Sequence, residues 1–412
     1  MTLDAVVVGA GLAGLTAGLR LADGGARVAV VARGVGSLHV RGGALDVLGY
    51  DPERVERPGE RVAALAAARP EHPYACVASG ALERAHEWWI ERMATLRYAG
   101  GLARNMLLPT AVGALRPAAY APATMTAGDA PTRVAIVGLG RLKDFYPAYL
   151  AANLRAGGVD ACASTIDPAA GTSADVQPHA YARAFEQASV RDAVERALDG
   201  RLGDADAVGF PAVLGVDSWD EVHSDLERRL GRPVFEIPTL PPSVPGIRVY
   251  RALTRALRGA GARVVLGSEA RGAVAPGRRA RGVVVHASGH ARPLRAGAVV
   301  LATGGVAGRG IEMDSRWRLH ETALGLPVAW APEPGEERFR AGYFESHPAA
   351  RAGIAVDRSL RPVDAAGDVL HDDVFVAGAA LGGAEPWKEK SGAGIDVTTG
   401  WAAAESVLGR DA

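Results

Sequence analysis

Short β-branched apolar runs that stop at glycine alternate along this chain with stretches whose apolar residues recur at helical spacing. The first run, Asp4 to Val8, is followed at once by Gly9, Gly11 and Gly14 and then by an apolar segment over 12–22. A strand buried on both faces reads as such an unbroken run, so the pattern predicts strand, tight turn, helix 12–22 and a second strand over 26–32. Farther on, Leu82, Ala85, Trp89, Met93 and Leu96 share one face of a helix expected over 79–99, and Trp88 and Trp89 read as part of that packing face. Ser218 and Glu221 predict a capping box on a helix that runs to Leu230 and stops at Gly231.

Val134 to Gly140 is a strand ending in glycine. It lacks a third glycine at the helix-packing position, so it is assigned to an inserted domain rather than to a second nucleotide site. Pro238, Pro241, Pro242 and Pro245 exclude regular structure and mark a domain crossing. Beyond it the pattern predicts a helix over 247–260, a strand over 263–266 and alternating segments over 270–275, 282–286 and 291–294. An apolar strand then runs from Gly297 into Ala302-Thr303-Gly304-Gly305. Closing strands over 353–357 and 373–378 and a helix over 395–408 end the chain.

The glycine spacing carries chemistry. Gly9 permits the tight turn, Gly11 lets backbone approach a pyrophosphate, and Gly14 lets helix pack on strand. Leu12 and Ala13 then open a helix whose unpaired N–H groups and dipole favour an anion. The second strand ends in Arg33, where dinucleotide folds usually place an acid for the ribose hydroxyls. Arg33 there meets a phosphate, leaves the ribose to backbone groups, or is a solvated strand end. Ser391-Gly-Ala-Gly394 enters another helix, and its Gly392 and Gly394 either receive the pyrimidine oxygens of a flavin or form only a tight turn.

Net charge is zero, which gives no electrostatic case for nucleic acid or an anionic membrane as partner. Lys143, Lys388 and Lys390 are the only lysines among 46 basic residues, a bias of codon usage rather than of phosphate binding. No run of 18 apolar residues exists and the chain opens on a strand, so a cytoplasmic protein without a membrane span is expected. Cys76 and Cys162 are too few to ligate a standard iron–sulfur cluster, and no metal site is expected.

Taken together, GAGLAGL, Arg33-Gly34 with Ser37-Leu38-His39, Gly43-Ala-Leu-Asp46, the EIPTLPPSVPG stretch 236–246, and Gly378-Ala-Ala-Leu-Gly-Gly383 resemble the B subunit of the anaerobic glycerol-3-phosphate dehydrogenases. The resemblance covers essentially the whole chain, including Leu142 to Phe145 and Ala151 to Leu154. It implies an α/β, Rossmann-like FAD/NAD(P)-binding fold of the two-dinucleotide-binding flavoprotein type with an inserted cap. It also implies partnership with an A-type flavoprotein subunit and a C-type iron–sulfur membrane subunit, with any contact at the inner face of the cell membrane made through them. A more distant likeness is to the succinate dehydrogenase and fumarate reductase flavoproteins, in which Thr303, Gly304, Gly305, Gly378 and Ala379 correspond to residues near the cofactor. Ala379 stands where that group usually has glutamate. The family implies FMN, ranked ahead of FAD, and non-covalent attachment is expected.

The resulting expectation is a discontinuous flavin domain over 1–50, 247–305 and 353–412, with 51–246 and 306–352 as cap. Gly9, Gly304 and Gly378 should converge on one pocket. For alcohol oxidation the chain must also supply a base and cations for a phosphate. His39, with Ser37 and Gly43 in the loop after the second strand, is the first candidate base. His347 is the second, and Arg351 is a candidate phosphate clamp. Each histidine has an ordinary structural reading as well.

Overall fold

In the computed structural model, which describes residues 2–168, 173–275, 277–333, 335–343 and 345–410, the first strand β1 (Leu3–Val8) leads into helix α1 (Leu12–Asp23) and strand β2 (Val28–Ala32). The chain folds as two units, one of residues 1–37, 46–93 and 252–412, the other of 38–45 and 94–251. The expected cap segments over 51–93 and 306–352 therefore belong with the dinucleotide-type sheet. Residues 411–412 at the end of the expected flavin domain lie outside the described residues.

The first unit is built on a seven-stranded sheet. Arg263–Leu266, β2, β1 and the far half of His290–Leu301 run parallel, and Val374–Val376 pairs beside Val299 to Leu301. The near half of His290–Leu301 instead pairs antiparallel with Gly282–Ala287, which pairs with Glu269–Ala273. The two apolar segments expected over 291–294 and from 297 are thus one strand serving two kinds of neighbour. Residues 353–357 make only isolated bridges, at Gly353, Ile354 and Val356. α1 is buried nearly all round because the sheet covers one side and the closing helix Gly392–Val407 the other.

The helix expected over 79–99 is shorter, Ala81–Arg92. Gly80 before it adopts left-handed backbone, and after Met93 the chain tightens into a 3-10 turn over Ala94–Leu96 that stops at the left-handed Arg97. Trp89 is fully buried, whereas Trp88 donates to Asp23 Oδ2 at 3.2 Å.

The second unit carries a four-stranded parallel sheet in the order Val234–Ile237, Ala207–Pro211, Arg133–Leu139 and Asp160–Ile166. The 134–140 run is one of its strands. The expected capping box is not formed. Ser218 is the N-cap of Trp219–Leu230 without a side-chain bond, its N–H goes to Glu186, and Glu221 is taken by Arg191 at 3.0 Å. Helix Val244–Gly259 starts inside the proline stretch, since Pro245 sits in a first turn that needs no N–H from it. The boundary between units falls within this helix, after Arg251, rather than at the prolines.

Under the second sheet lies an ion pair almost closed to solvent. Arg248 donates to Glu236 Oε2 at 2.6 Å and Oε1 at 2.9 Å, and its Nε donates to the Gly215 carbonyl at 2.9 Å. The Leu214 N–H donates to Glu236 Oε1 at 2.8 Å. Burial pushes the Glu236 carboxyl up, but the Arg248 charge and these hydrogen bonds outweigh it and hold it below its ordinary range. A depressed carboxyl contributes stability that is present above its unfolded pKa and lost as pH falls through the folded one. Arg248→Met should lower the unfolding free energy by about 3–5 kcal/mol, because it strands a buried carboxylate, whereas Glu236→Leu with Arg248→Met should recover most of the loss. Urea unfolding followed by tryptophan fluorescence measures both.

Candidate functional site

The turn between β1 and α1 is set by contacts too close for any side chain. Gly9 has φ of +116°, and a Cβ on it would lie 2.1 Å from the Ala302 carbonyl oxygen. A Cβ on Gly14 would lie 2.0 Å from the Gly9 oxygen, and one on Gly305 would lie 2.6 Å from the Ala379 oxygen. Gly378, with φ of +70°, faces the Ala13 Cβ and Asp396 Oδ1, each 2.6 Å from where its own Cβ would be. Gly9, Ala13, Gly14, Thr303 to Gly305 and Gly378 to Ala379 are thus brought together at the carboxyl ends of β1 and of the long strand. Ligands of open α/β sheets bind at such strand ends.

Around this junction the chain leaves room. No atom lies within 4 Å of a Cβ built on Gly11 or on Gly34, while Gly36 abuts Gly11. α1 begins after Gly11 with no side-chain cap and no acid in its first turn among the described residues, so its positive end is free of a protein carboxylate there. Leu12 and Ala13 are buried beneath it. Thr303 Oγ1 is buried and without a hydrogen bond among the described residues. Open space, an uncapped helix N-terminus and an orphaned hydroxyl fit the phosphate end of a flavin nucleotide.

The closing helix differs. Its Ala393 N–H donates to Asp46 Oδ1 at 3.0 Å and its Gly394 N–H to the Asp46 carbonyl at 2.8 Å. A Cβ on Gly394 would lie 2.3 Å from the Tyr74 hydroxyl. Gly394 is therefore a packing glycine whose N–H is already used, a correction to its reading as an open seat for flavin oxygens. Gly392, the first residue of that helix, remains at its mouth. Gly400 presses on the Ala13 carbonyl, where a Cβ would come within 2.5 Å, so the two helices cross there. From Gly392 to that crossing is eight residues, about 12 Å at 1.5 Å per residue.

At the end of β2, Arg33 donates to the Arg309 carbonyl at 2.9 Å and to Glu269 Oε1 at 3.4 Å. It is a tethered side chain rather than a free solvated one. Ser37 is exposed at the edge of the first unit. His39 and Gly43 belong to the second. Gly43 faces Pro245 and its carbonyl accepts from the Tyr98 hydroxyl at 2.6 Å. His39 stands edge-on to the Tyr250 ring, with centroids 5.1 Å apart, and its Nε2 is buried without a hydrogen bond among the described residues. Burial first, and the Arg251 charge second, hold His39 below the ordinary histidine pKa, which keeps the ring neutral at pH 7.

Two expected catalytic residues are otherwise engaged. His347 Nδ1 accepts the Arg340 N–H at 3.0 Å, so its Nε2–H donates to the Tyr343 carbonyl at 3.2 Å. With its lone pair occupied, His347 is not a ready base. Arg351 Nη2 is paired with Glu71 Oε1 at 2.6 Å, so it is not an uncommitted phosphate clamp. Neither engagement is readable from spacing, because both depend on how loops fold back. Asp46 is the residue that motif reasoning passed over as a site residue.

The family model for the FAD binding domain matches residues 4–395. A protein of Halobacterium salinarum, named as a probable B subunit of anaerobic glycerol-3-phosphate dehydrogenase, is 35% identical over 97% of this chain and 96% of its own. The protein named as the B subunit of that enzyme in Pectobacterium carotovorum subsp. carotovorum is 32% identical over 99% of each chain. Among solved structures, 3-ketosteroid delta1-dehydrogenase from Sterolibacterium denitrificans is 13% identical over 99% of each chain with a TM-score of 0.48. The glycine junction and near-full-length identity above 30% thus lead to one conclusion: the chain belongs to the B-subunit family of the anaerobic glycerol-3-phosphate dehydrogenases, within the FAD-binding-domain flavoproteins.

Proposed function

We propose that this chain is the flavin-bearing subunit of a complex that oxidises sn-glycerol 3-phosphate to dihydroxyacetone phosphate and passes the electrons toward quinone. The observation that carries the reading is the junction of Gly9, Thr303 to Gly305 and Gly378 beside the uncapped N-terminus of α1. FMN is favoured over FAD because Arg33, at the ribose-binding end of β2, is tethered to Glu269 and Arg309. Ala379 also supplies no carboxylate near the sugar. An A-type flavoprotein and a C-type iron–sulfur protein complete the complex. With Cys76 and Cys162 as the only thiols, this chain has no Cys₄ ligand set for a cluster of its own. Among the described residues no helix is long and apolar enough to cross a membrane, so attachment at the inner face of the cell membrane goes through the partners.

When bound, the flavin supplies the hydride acceptor. His39 is the candidate base for the substrate hydroxyl, since burial and the Arg251 charge hold its pKa down and keep the ring neutral. A second reading places the substrate pocket in a partner protein and leaves this chain to relay electrons. The engagement of Arg351 by Glu71 favours it, because the expected phosphate clamp is already neutralised.

Stopped-flow mixing of the flavin-loaded full chain with glycerol 3-phosphate separates the readings: bleaching of the flavin supports the first and an unchanged spectrum the second. Gly11→Val should fold, since its Cβ meets open space, but lose most of its flavin, as measured by absorbance at equal protein. Retention of stoichiometric flavin contradicts the phosphate seat. His39→Ala should lower turnover by about 10²-fold with flavin retained. The acid limb of the wild-type rate profile should fall below the ordinary histidine pKa, because a base whose pKa is depressed stays deprotonated to lower pH. Unchanged turnover in the variant moves the base elsewhere.

A further inference from the structure

Charge is unevenly spread along this neutral chain. From Ala270 to Ile311 the sequence holds seven arginines and two histidines and no carboxylate side chain. Six of those arginines lie on or beside the antiparallel part of the first unit's sheet, formed by Glu269–Ala273, Gly282–Ala287 and the near half of His290–Leu301, and all six are exposed. Arg271 is paired with Glu269 at 3.1 Å and Arg278 with Asp372 at 2.8 Å. Arg281, Arg292 and Arg295 make no ion pair among the described residues.

The ribbon that carries them is preformed. Only Ser288 and Gly289 join the strands Gly282–Ala287 and His290–Leu301, and both take left-handed backbone, with φ of +49° and +78°, as a tight hairpin turn requires. Paired residues share a face of the ribbon and successive residues alternate, so the register decides where the cations stand. Ala287 lies opposite His290 and Val285 opposite Arg292, which puts His290 and Arg292 on one face. His286 lies opposite Ala291 and Gly282 opposite Arg295, which puts His286 and Arg295 on the other. A flat anionic surface can meet only one of these faces, whereas a cleft can hold the ribbon from both sides. Arg292 also precedes Thr303 by eleven residues, about 36 Å of extended chain, so a partner here need not touch the glycine junction.

We propose that this ribbon is a docking finger for a partner protein with a cleft lined by carboxylates, which takes Arg292 on one wall and Arg295 on the other. The guanidinium fork pairs both oxygens of a carboxylate, and a stiff hairpin loses little freedom on insertion. The inference rests on the multi-subunit part of the reading above and not on the flavin seat.

Arg292→Glu with Arg295→Glu reverses the charge of both faces at exposed positions, so melting temperature and flavin content should match the wild type. With the A-type and the C-type protein immobilised in turn and the full chain in solution, the wild type should bind one of them, and more weakly as salt is raised. The double variant should bind it at least about 100-fold more weakly, and each single variant at least about tenfold. Arg292→Lys with Arg295→Lys, which keeps the charge, should lose less than about tenfold. Full affinity in the double variant overturns the proposal and leaves these arginines as solvated charges near a sheet edge. An effect from only one of the two single variants overturns the cleft. Binding of phosphatidylglycerol vesicles that the double variant loses, with partner affinity unchanged, assigns the ribbon to a lipid surface and overturns the proposal too. A wild-type chain that binds neither protein overturns the multi-subunit reading, and this inference with it.

Discussion

The backbone contact at Gly9 is the constraint from which the first unit follows. A carbonyl oxygen 2.1 Å from where a Cβ would stand allows only glycine, and the same turn must bring Gly14 as close to the Gly9 oxygen. Those approaches let α1 lie on the sheet, and they place its first turn between the ends of two parallel strands. The closing helix can then cross α1 at Gly400 and Ala13, again backbone to backbone. Apolar burial stabilises the layers, but the glycines decide how near they come and so leave an uncapped helix end facing open space.

Charge placement divides the same region into two kinds of surface. Among the described residues α1 presents an N-terminus with no side-chain cap, whereas the closing helix is capped by Asp46, Arg33 is tethered to the Arg309 carbonyl and Glu269, and Arg351 is paired with Glu71. Among the described residues, of the two helix ends, Arg33 and Arg351 that were candidates for an anion, the N-terminus of α1 stands open and the other three are engaged.

The periodic part of this organisation was legible in the sequence. The β1–α1–β2 segment, the strand running into Thr303, the 134–140 strand and the closing helix follow from local apolar patterns and glycine spacing. The unit boundaries were less so, because residues 46–93 have helical patterns that fit either body and only long-range packing assigns them. The state of individual site residues was hidden for the same reason. Asp46 reaches Ala393 across 347 positions, Arg351 reaches Glu71 across 280, and His347 is filled by the backbone of its own loop. A histidine or arginine in sequence has no partner until the fold supplies one, so residue type alone overstated what His347 and Arg351 have to offer.

All of this turns on the glycine junction holding a flavin nucleotide. Its most direct test is to purify the full chain, precipitate it with acid and analyse the supernatant for flavin by chromatography against FMN and FAD standards. One non-covalent flavin per chain, released into the supernatant, is the expected result. A folded chain that yields no flavin, and takes up none when incubated with FMN or FAD, would contradict it.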